Sequence, residues 1–170
     1  MKRGIVAVYT GSGKGKTTAA LGLALRFLGH GLSVCLIQFL KARASGEQAA
    51  AKAWPRFEFQ TLGLGFVRND RDLERHRAAA LKAWDRAREK LAGGYDLVVL
   101  DEVSYLFHFH FLEPSALLAA LAARRAPMHV CLTGRDMPDE ITRAADLATE
   151  MRELAHPWHA GTSNIKGIDY

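Results

Sequence analysis

Cysteine is scarce in this sequence: only Cys35 and Cys131 occur among its 170 residues, and each lies inside an apolar run. This pattern indicates two buried, reduced thiols and argues against a disulfide framework or a cysteine-based metal module. Long apolar runs are also missing, because none approaches the ~20 residues that a membrane-spanning helix needs. The segment 1–3, Met-Lys-Arg, leads directly into a short strand-like run and not into the longer apolar segment of a secretory signal. We therefore expect no membrane partner and a cytoplasmic location.

Internal repeats, low-complexity segments and signs of a second domain are absent as well. We expect one domain over residues 1–170, with an irregular tail over residues 155–170. The net charge of +5 is mild, and basic residues alternate with acidic ones between positions 71 and 90. A solvated helix face explains this mixture at least as well as a nucleic-acid groove. The charge suits an anionic small ligand, and we expect no nucleic-acid partner.

Strand-like and helical segments alternate along the whole chain. Strands are predicted at residues 4–9, 33–39, 57–60, 95–102, 128–133 and 147–154, and the main helices at residues 16–29, 71–91, 114–124 and 138–145. This alternation predicts an α/β fold with a mostly parallel sheet and helices on both faces. The loop described next makes the P-loop NTPase (RecA-like) arrangement the expected form.

The most informative segment joins the first predicted strand to the first predicted helix. It reads Thr10-Gly11-Ser12-Gly13-Lys14-Gly15-Lys16-Thr17-Thr18. Glycines let the backbone curl so that N–H groups point at phosphate oxygens, and the helix N-terminus adds its positive end. Lys16 can reach phosphate oxygens, and Thr17 offers a hydroxyl to Mg²⁺. We expect the whole segment to bind a nucleoside triphosphate, although Thr10 replaces the first glycine of the general pattern; the alternative is a glycine-rich turn before a core helix.

A second stretch carries the acids that such a loop requires. The apolar run at residues 97–100 ends in Asp101 and Glu102. In P-loop folds this strand places a carboxylate beside Mg²⁺. Arg135 follows the strand at residues 128–133, at the sheet edge where ligands of open α/β sheets bind. Arg135 is therefore a candidate phosphate contact, with a surface arginine in a turn as the alternative.

Aromatic residues occur at two places outside the predicted core. Phe66 lies in a glycine-containing loop, where it is either a surface residue or a lid on a flat ligand. The segment 105–111 alternates aromatics with His108 and His110, which would share one face of a strand. A domain surface or a subunit contact explains this pair better than a metal site.

Together these motifs resemble the ATP:corrinoid adenosyltransferases that form adenosylated cobalamin precursors (cob(I)yrinic acid a,c-diamide adenosyltransferase). The matching pieces follow the family's order across nearly the whole chain: residues 10–20, Gln38-Phe39-Leu40-Lys41, Gly65-Phe66, residues 98–102, Thr133-Gly134-Arg135, Ala145-Asp146 with Glu150, and residues 166–170. Thr10 at the start of the loop is this family's own form. Relatives often have Trp two places after this Phe, where the chain has Arg68.

The resemblance implies a reaction and a set of roles. The Co(I) centre of a reduced corrinoid would attack C5′ of ATP, and the whole triphosphate would leave, in adenosylcobalamin biosynthesis or salvage. Thr17 and Glu102 would hold Mg²⁺, with Asp101 as a second candidate, and Lys16 would complete the catalytic set. The residues expected to bind ATP or the corrinoid are the loop from Thr10 to Thr18, Gln38, Lys41, Phe66 and Arg135. A homodimer and a cobalt-reducing partner protein are also implied.

Other functions fit some of these motifs. A P-loop nucleoside or small-molecule kinase would share the loop and Asp101, but it would transfer the γ-phosphoryl group and release ADP. A RecA-like nucleic-acid-binding module would need a basic groove and would bind with salt-dependent affinity. A scaffold without activity is disfavoured by the two nucleotide motifs.

Overall fold

The computed structural model describes residues 4–42, 45–67, 70–162 and 165–168. Within them, strands and helices alternate as predicted. The strands are β1 (Val6–Thr10), β2 (Val34–Gln38), β3 (Phe57–Thr61), β4 (Leu97–Asp101), β5 (His129–Thr133) and β6 (Leu147–Glu150). The α-helices are α1 (Lys16–Gly29), α2 (Gly46–Ala51), α3 (Leu73–Leu91), α4 (Tyr105–His108), α5 (Pro114–Ala123) and α6 (Asp139–Ala144). Short 3₁₀ turns lie at Asp70–Asp72 and Pro157–Ala160.

The six strands form one sheet in the order β3-β2-β4-β5-β1-β6, and each neighbouring pair is parallel. Because parallel strands end on the same side, the last residues of β1 to β5 share one edge, which we call the carboxyl edge. These residues are Thr10, Gln38, Thr61, Asp101 and Thr133. The predicted α/β fold is confirmed, and its topology brings the separate sequence motifs to one place.

Helices cover both faces of the sheet, as the alternation predicts. On one face, α1 packs with Ala20 and Ala24, both nearly inaccessible to solvent, against β2, β4 and β5. On the other face, α3 contributes Trp84 and Leu91 to the larger core cluster. Every residue of β2 and β4 is buried because these central strands are covered on both sides.

Both cysteines are buried and free, which agrees with the prediction from their apolar surroundings. Burial raises the pKa of the Cys35 thiol and of the Cys131 thiol to about 12. Both therefore stay protonated near neutral pH. Among the described residues, no helix combines the length and apolar composition that crossing a membrane requires.

The last strand is shorter than predicted. β6 ends at Glu150, whereas the sequence pattern extends the strand to residue 154. Its neighbour in the sheet, β1, ends at Thr10, where the phosphate loop begins. Beyond that point the chain pairs with the loop itself: the Met151 N–H donates to the Thr10 carbonyl at 2.8 Å, and the Gly13 N–H donates to the Met151 carbonyl at 2.7 Å.

The strand-like interpretation of residues 105–111 is wrong. Tyr105 begins a single helical turn, α4, and the buried side chains of this segment include Tyr105, Phe107 and Phe111. His108 and His110 are exposed, and His110 has a positive φ of 52°. Tyr105, Phe107 and Phe111 belong to the larger core cluster, and Phe109 packs against it. The predicted start of α3 at residue 71 is also two residues early, since a 3₁₀ turn precedes Leu73.

Candidate active site

The phosphate loop curls between β1 and α1 at positions that only glycine fits. Gly11 and Gly15 have φ of 98° and 109°, in the left-handed region that glycine adopts without strain. A Cβ on Gly11 would lie 2.5 Å from the Met151 carbonyl oxygen, and one on Gly13 would lie 2.8 Å from it. The backbone of the segment after β6 therefore packs directly against the loop. Its contact with Gly13 also fixes the curl of the loop.

Lys16 points back into this loop. Its Nζ donates to the carbonyls of Gly11 and Gly13, both at 2.7 Å, and only 6% of the residue is exposed. Burial lowers the pKa of the Lys16 ammonium, while the nearby Glu102 carboxylate opposes that shift. An ammonium held by two neutral carbonyls is a charge without a full counterion, so the loop is suited to an anion.

Asp101 is the centre of a hydrogen-bond network at the end of β4. The residue is fully buried, and its Oδ1 accepts from the hydroxyls of Thr17 at 2.9 Å and Thr133 at 2.7 Å. Its Oδ2 accepts from Gln38 Nε2 at 3.0 Å. Donors from α1, β2 and β5 thus fix the carboxylate in one orientation. The sequence predicts its closeness to Thr17 but not the other two contacts.

Glu102 lies next to Asp101 in an unusual backbone conformation. Its φ is 59°, and its N–H donates to Thr133 Oγ1 at 2.9 Å. The Thr133 hydroxyl therefore contacts both acidic residues: it donates to the Asp101 carboxylate and accepts from the Glu102 backbone N–H. Burial, and next the Asp101 charge, raise the pKa of the Glu102 carboxyl, while Lys16 is the strongest opposing influence. Because burial and the Asp101 charge disfavour the ionised form of Glu102, a cation bound beside this carboxylate would stabilise it.

Gln38 lies beneath this site. The residue has no exposed surface, and its two amide ends contact Asp101 and Thr61: Thr61 Oγ1 donates to Gln38 Oε1 at 3.2 Å. The resemblance implies that Gln38 contacts ATP or the corrinoid. In the structure it offers no surface to a ligand, because the ends of β2 and β3 enclose it.

Lys41 and Arg135 reach the site from loops. Lys41 forms a half-buried ion pair with Glu47. Burial favours a higher pKa for the Glu47 carboxyl, but the Lys41 hydrogen bond and other contacts lower it overall. Arg135 is exposed after β5, and its charge acts on the pKa of both Lys16 and Glu102. The Lys41 charge also acts on the pKa of Glu102, so both basic side chains influence the acids of the site.

Gly134 explains how Arg135 is presented. Its φ is 150°, and a Cβ at this position would lie 2.1 Å from Ser104 Oγ. The backbone can turn out of β5 only because Ser104 and Gly134 touch without a side chain between them.

The outer loop positions are open to solvent. Ser12, Lys14 and Thr18 are exposed, whereas Thr10 and Thr17 are half-buried. The N–H groups of the first turn of α1 have no partners within the helix, and Gly15, which precedes that turn, has no side chain to cap them. They are suited to donate to phosphate oxygens.

Phe66 projects from the loop after β3, with 76% of its surface exposed. The loop is laid against the end of β2: the Leu62 N–H donates to the Gln38 carbonyl at 3.0 Å, and the Gly65 N–H donates to the Leu40 carbonyl at 2.7 Å. Such anchoring holds an apolar ring at the carboxyl edge. Arg68 lies outside the described residues.

His108 and His110 are not part of a metal cluster in the described portion of the chain. There, no group of three or more His, Cys, Asp and Glu side chains is placed to hold a metal ion. A Mg²⁺ site needs no such cluster, because Mg²⁺ keeps water and phosphate oxygens as ligands and uses only one or two protein groups.

Sequence reasoning missed three residues of this site. Thr61, Thr133 and Met151 gain their roles from contacts with residues distant in the chain. The position of Thr133, at the end of a strand before Gly134-Arg135, is the one signal that points to the carboxyl edge. Nothing in the sequence around Met151 indicates that its carbonyl meets the phosphate loop.

Comparison with solved structures supports the fold. FlaH, a flagellar accessory protein from Methanocaldococcus jannaschii, is 13% identical, with a TM-score of 0.59, over 88% of this chain and 72% of that one. The RadB recombinase is 15% identical, with a TM-score of 0.53, over 92% and 78%. At these identities the likeness shows a shared P-loop NTPase fold and nothing about the reaction.

Sequence comparison identifies the family to which the chain belongs. Residues 2–170 match the family described as ATP:corrinoid adenosyltransferase BtuR/CobO/CobP. The corrinoid adenosyltransferase CobA of Salmonella typhimurium is 37% identical over 99% of this chain and 87% of its own length. The corrinoid adenosyltransferase of Pseudomonas aeruginosa is 38% identical over 99% and 85%. These matches confirm the resemblance seen in the motifs and favour an alkyl-group transferase over a kinase: the chain belongs to the ATP:corrinoid adenosyltransferase family.

Proposed function

We propose that the site at the carboxyl edge of the sheet catalyses transfer of the 5′-deoxyadenosyl group of ATP to a reduced corrinoid. The side chains described above have specific roles in this transfer. The observation that carries this proposal is the meeting of Lys16, Thr17, Asp101 and Glu102 at one edge, with Thr17 Oγ1 bonded to Asp101 at 2.9 Å. The roles of these residues follow from the chemistry of a departing triphosphate.

The electron balance of the transfer makes the leaving group the main problem. The Co(I) electron pair forms the Co–C5′ bond while the C5′–O bond breaks. The electron pair of the broken C5′–O bond stays on the triphosphate oxygen. Lys16, the N–H groups of the loop and Arg135 would neutralise the growing negative charge. No proton has to be abstracted from either substrate in this step, so the site needs no general base.

The residues at the site also fit Mg²⁺. The proton of Thr17 Oγ1 is directed to Asp101, which leaves the hydroxyl lone pairs for a cation. The Glu102 carboxylate is half-exposed beside Lys16, and oxygen ligands of this kind suit Mg²⁺. We propose that Thr17 and Glu102 hold Mg²⁺, which would offset the charge of the triphosphate.

Phe66 and Lys41 complete the proposal at the outer side of the site. A corrin is broad and flat, and an exposed ring on an anchored loop offers it an apolar contact. Lys41 would leave Glu47 to reach a phosphate group or a corrinoid side chain. Gln38, in contrast, would act through Asp101.

The wider setting is also a proposal. The resemblance supports a single-domain cytoplasmic enzyme that works as a homodimer and has a cobalt-reducing protein as a partner. Sedimentation at the assay concentration tests the dimer, because a monomer that retains full activity would contradict it.

A product assay tests the function directly. The protein is mixed with Mg-ATP and chemically reduced cob(I)alamin without oxygen, and the corrinoid spectrum and phosphate products are followed together. We expect a light-sensitive alkylcobalamin and an equimolar amount of triphosphate. Lys16→Ala should abolish turnover with an unchanged circular dichroism spectrum. Release of ADP with no change in the corrinoid would replace this proposal with a kinase or an ATPase.

A further inference from the structure

Gln38 connects the phosphate end of the site with the loop that carries Phe66. Its side chain is fully buried between Asp101 and Thr61, and its backbone carbonyl accepts from the Leu62 N–H at 3.0 Å. Leu62 is the first residue of the Phe66 loop. Gln38 therefore contacts both Asp101 and the Phe66 loop, and it has no exposed surface of its own to offer a ligand.

The hydrogen-bond directions along this chain of contacts are determined at each step. Thr61 Oγ1 donates to Gln38 Oε1, Gln38 Nε2 donates to Asp101 Oδ2, and Thr17 Oγ1 donates to Asp101 Oδ1. A carboxylate only accepts, so its neighbour must present the amide N–H₂, and the amide oxygen must then face Thr61. Asp101 therefore sets the orientation of Gln38, and Thr61 supplies the donor that pairs the amide oxygen in that orientation.

We infer that Gln38, whose amide oxygen is paired by Thr61, is a positioning residue for the metal site. It fixes the Asp101 carboxylate, and Asp101 in turn directs the Thr17 proton inward so that the Thr17 lone pairs face the cation. This inference rests on the proposed role of Thr17 as a Mg²⁺ ligand. It extends that role to Gln38, which has no exposed surface, and to Thr61 behind it on β3.

Loss of the Gln38 donor should therefore appear in metal binding more than in nucleotide binding. Without it, Asp101 Oδ2 lacks a partner and the carboxylate can rotate, which releases the Thr17 hydroxyl from one orientation. Partners that orient a metal ligand typically change metal affinity by ~10–100-fold when removed. We expect a change of about 10-fold for Gln38 and a smaller one for Thr61, which is one contact further away.

The test compares ATP binding by calorimetry with and without Mg²⁺ in the full-length protein, with no corrinoid present. Gln38→Met keeps the length of the side chain and removes the donor, whereas Thr61→Val removes the hydroxyl and Thr61→Ser keeps it. Gln60→Met is the matched control, because Gln60 is the adjacent residue on β3 and its amide bonds to Glu58, outside the network.

The inference predicts that Gln38→Met weakens the Mg²⁺-dependent gain in ATP affinity about 10-fold, while affinity for metal-free ATP stays within a factor of about 2. Thr61→Val should lose part of the gain, Thr61→Ser should retain it, and the Gln60 control should match the wild type. Equal losses with and without Mg²⁺, or no loss in Gln38→Met, would overturn the inference.

Two further outcomes are separable. If Gln38→Met does not fold, the Thr61→Val and Thr61→Ser pair decides the question by the same comparison. If the wild-type protein itself binds ATP with no response to Mg²⁺, the metal site in the proposed function fails, and this inference fails with it.

Discussion

Replacement of Asp101 gives the sharpest test of the network at the carboxyl edge. Asp101→Ala removes the acceptor of three side-chain donors, those of Thr17, Gln38 and Thr133. A buried donor left without a partner costs about 1–3 kcal/mol. Thr17 is half-buried and can turn its hydroxyl to water, but Thr133 and Gln38 are buried. We therefore expect a loss of about 3 kcal/mol in the free energy of unfolding.

Asp101→Asn should be much milder for a geometric reason. The Asn oxygen can still accept from Thr17 and Thr133, while its N–H₂ would face the Gln38 N–H₂. Rotation of the Gln38 amide by a half-turn removes this conflict, and Thr61 then accepts instead of donating, as a hydroxyl can. With every group paired again, the loss should be only about 1 kcal/mol.

Urea unfolding, followed by circular dichroism, measures both variants against the wild type. A domain of this kind has a total stability of about 5–15 kcal/mol, so a difference of about 3 kcal/mol is well resolved. An Asp101→Ala protein within about 1 kcal/mol of the wild type would refute the idea that these donors depend on Asp101. An Asn variant as unstable as the Ala variant would refute the proposed rotation of Gln38.

Two other substitutions separate stability from function. Burial and Asp101 raise the pKa of the folded Glu102 carboxyl, so its ionisation costs stability as pH rises. Glu102→Gln should therefore unfold at a higher urea concentration than the wild type near pH ~8 and lose this advantage towards pH ~4. It should also lose Mg²⁺-dependent ATP binding. Equal urea midpoints for the two proteins at both pH values would contradict the predicted effect on stability. Phe66→Ala should leave stability within about 0.5 kcal/mol and ATP affinity unchanged, because the ring is 76% exposed, yet raise the KM for the corrinoid in the adenosylation assay. An unchanged corrinoid KM would remove Phe66 from the site.

The parts of the site that the sequence predicts are those encoded locally. The loop from Thr10 to Thr18 and the acids at the end of β4 depend on spacing and on the strand and helix that flank them, and the structure has each where it is expected. The parallel sheet then brings them together because its strands all end at one edge.

The missed contacts are tertiary. Thr133 bonds Asp101 across 32 positions, and Gln38 does so across 63, so no local pattern marks either pair. The error at residues 105–111 has a different origin: alternation of aromatic and polar residues is typical of a strand, but the positive φ of Glu102 turns the chain out of β4. The helical turn α4 then buries consecutive side chains, among them Leu106 and Phe107.

The two adjacent acids of β4 therefore have different surroundings, which suggests different tasks. Asp101 is buried, and its oxygens accept from three donors. Glu102 is only half-buried, and the charges of Lys16 and Arg135 act on its pKa. A carboxylate with its oxygens already occupied would bind a cation only at the cost of those contacts. Glu102 is thus the better direct ligand for Mg²⁺, and Asp101 the better means of orienting Thr17. Replacement of Glu102 by Gln should then abolish the metal response without a loss of stability, while substitution of Asp101 should affect both together.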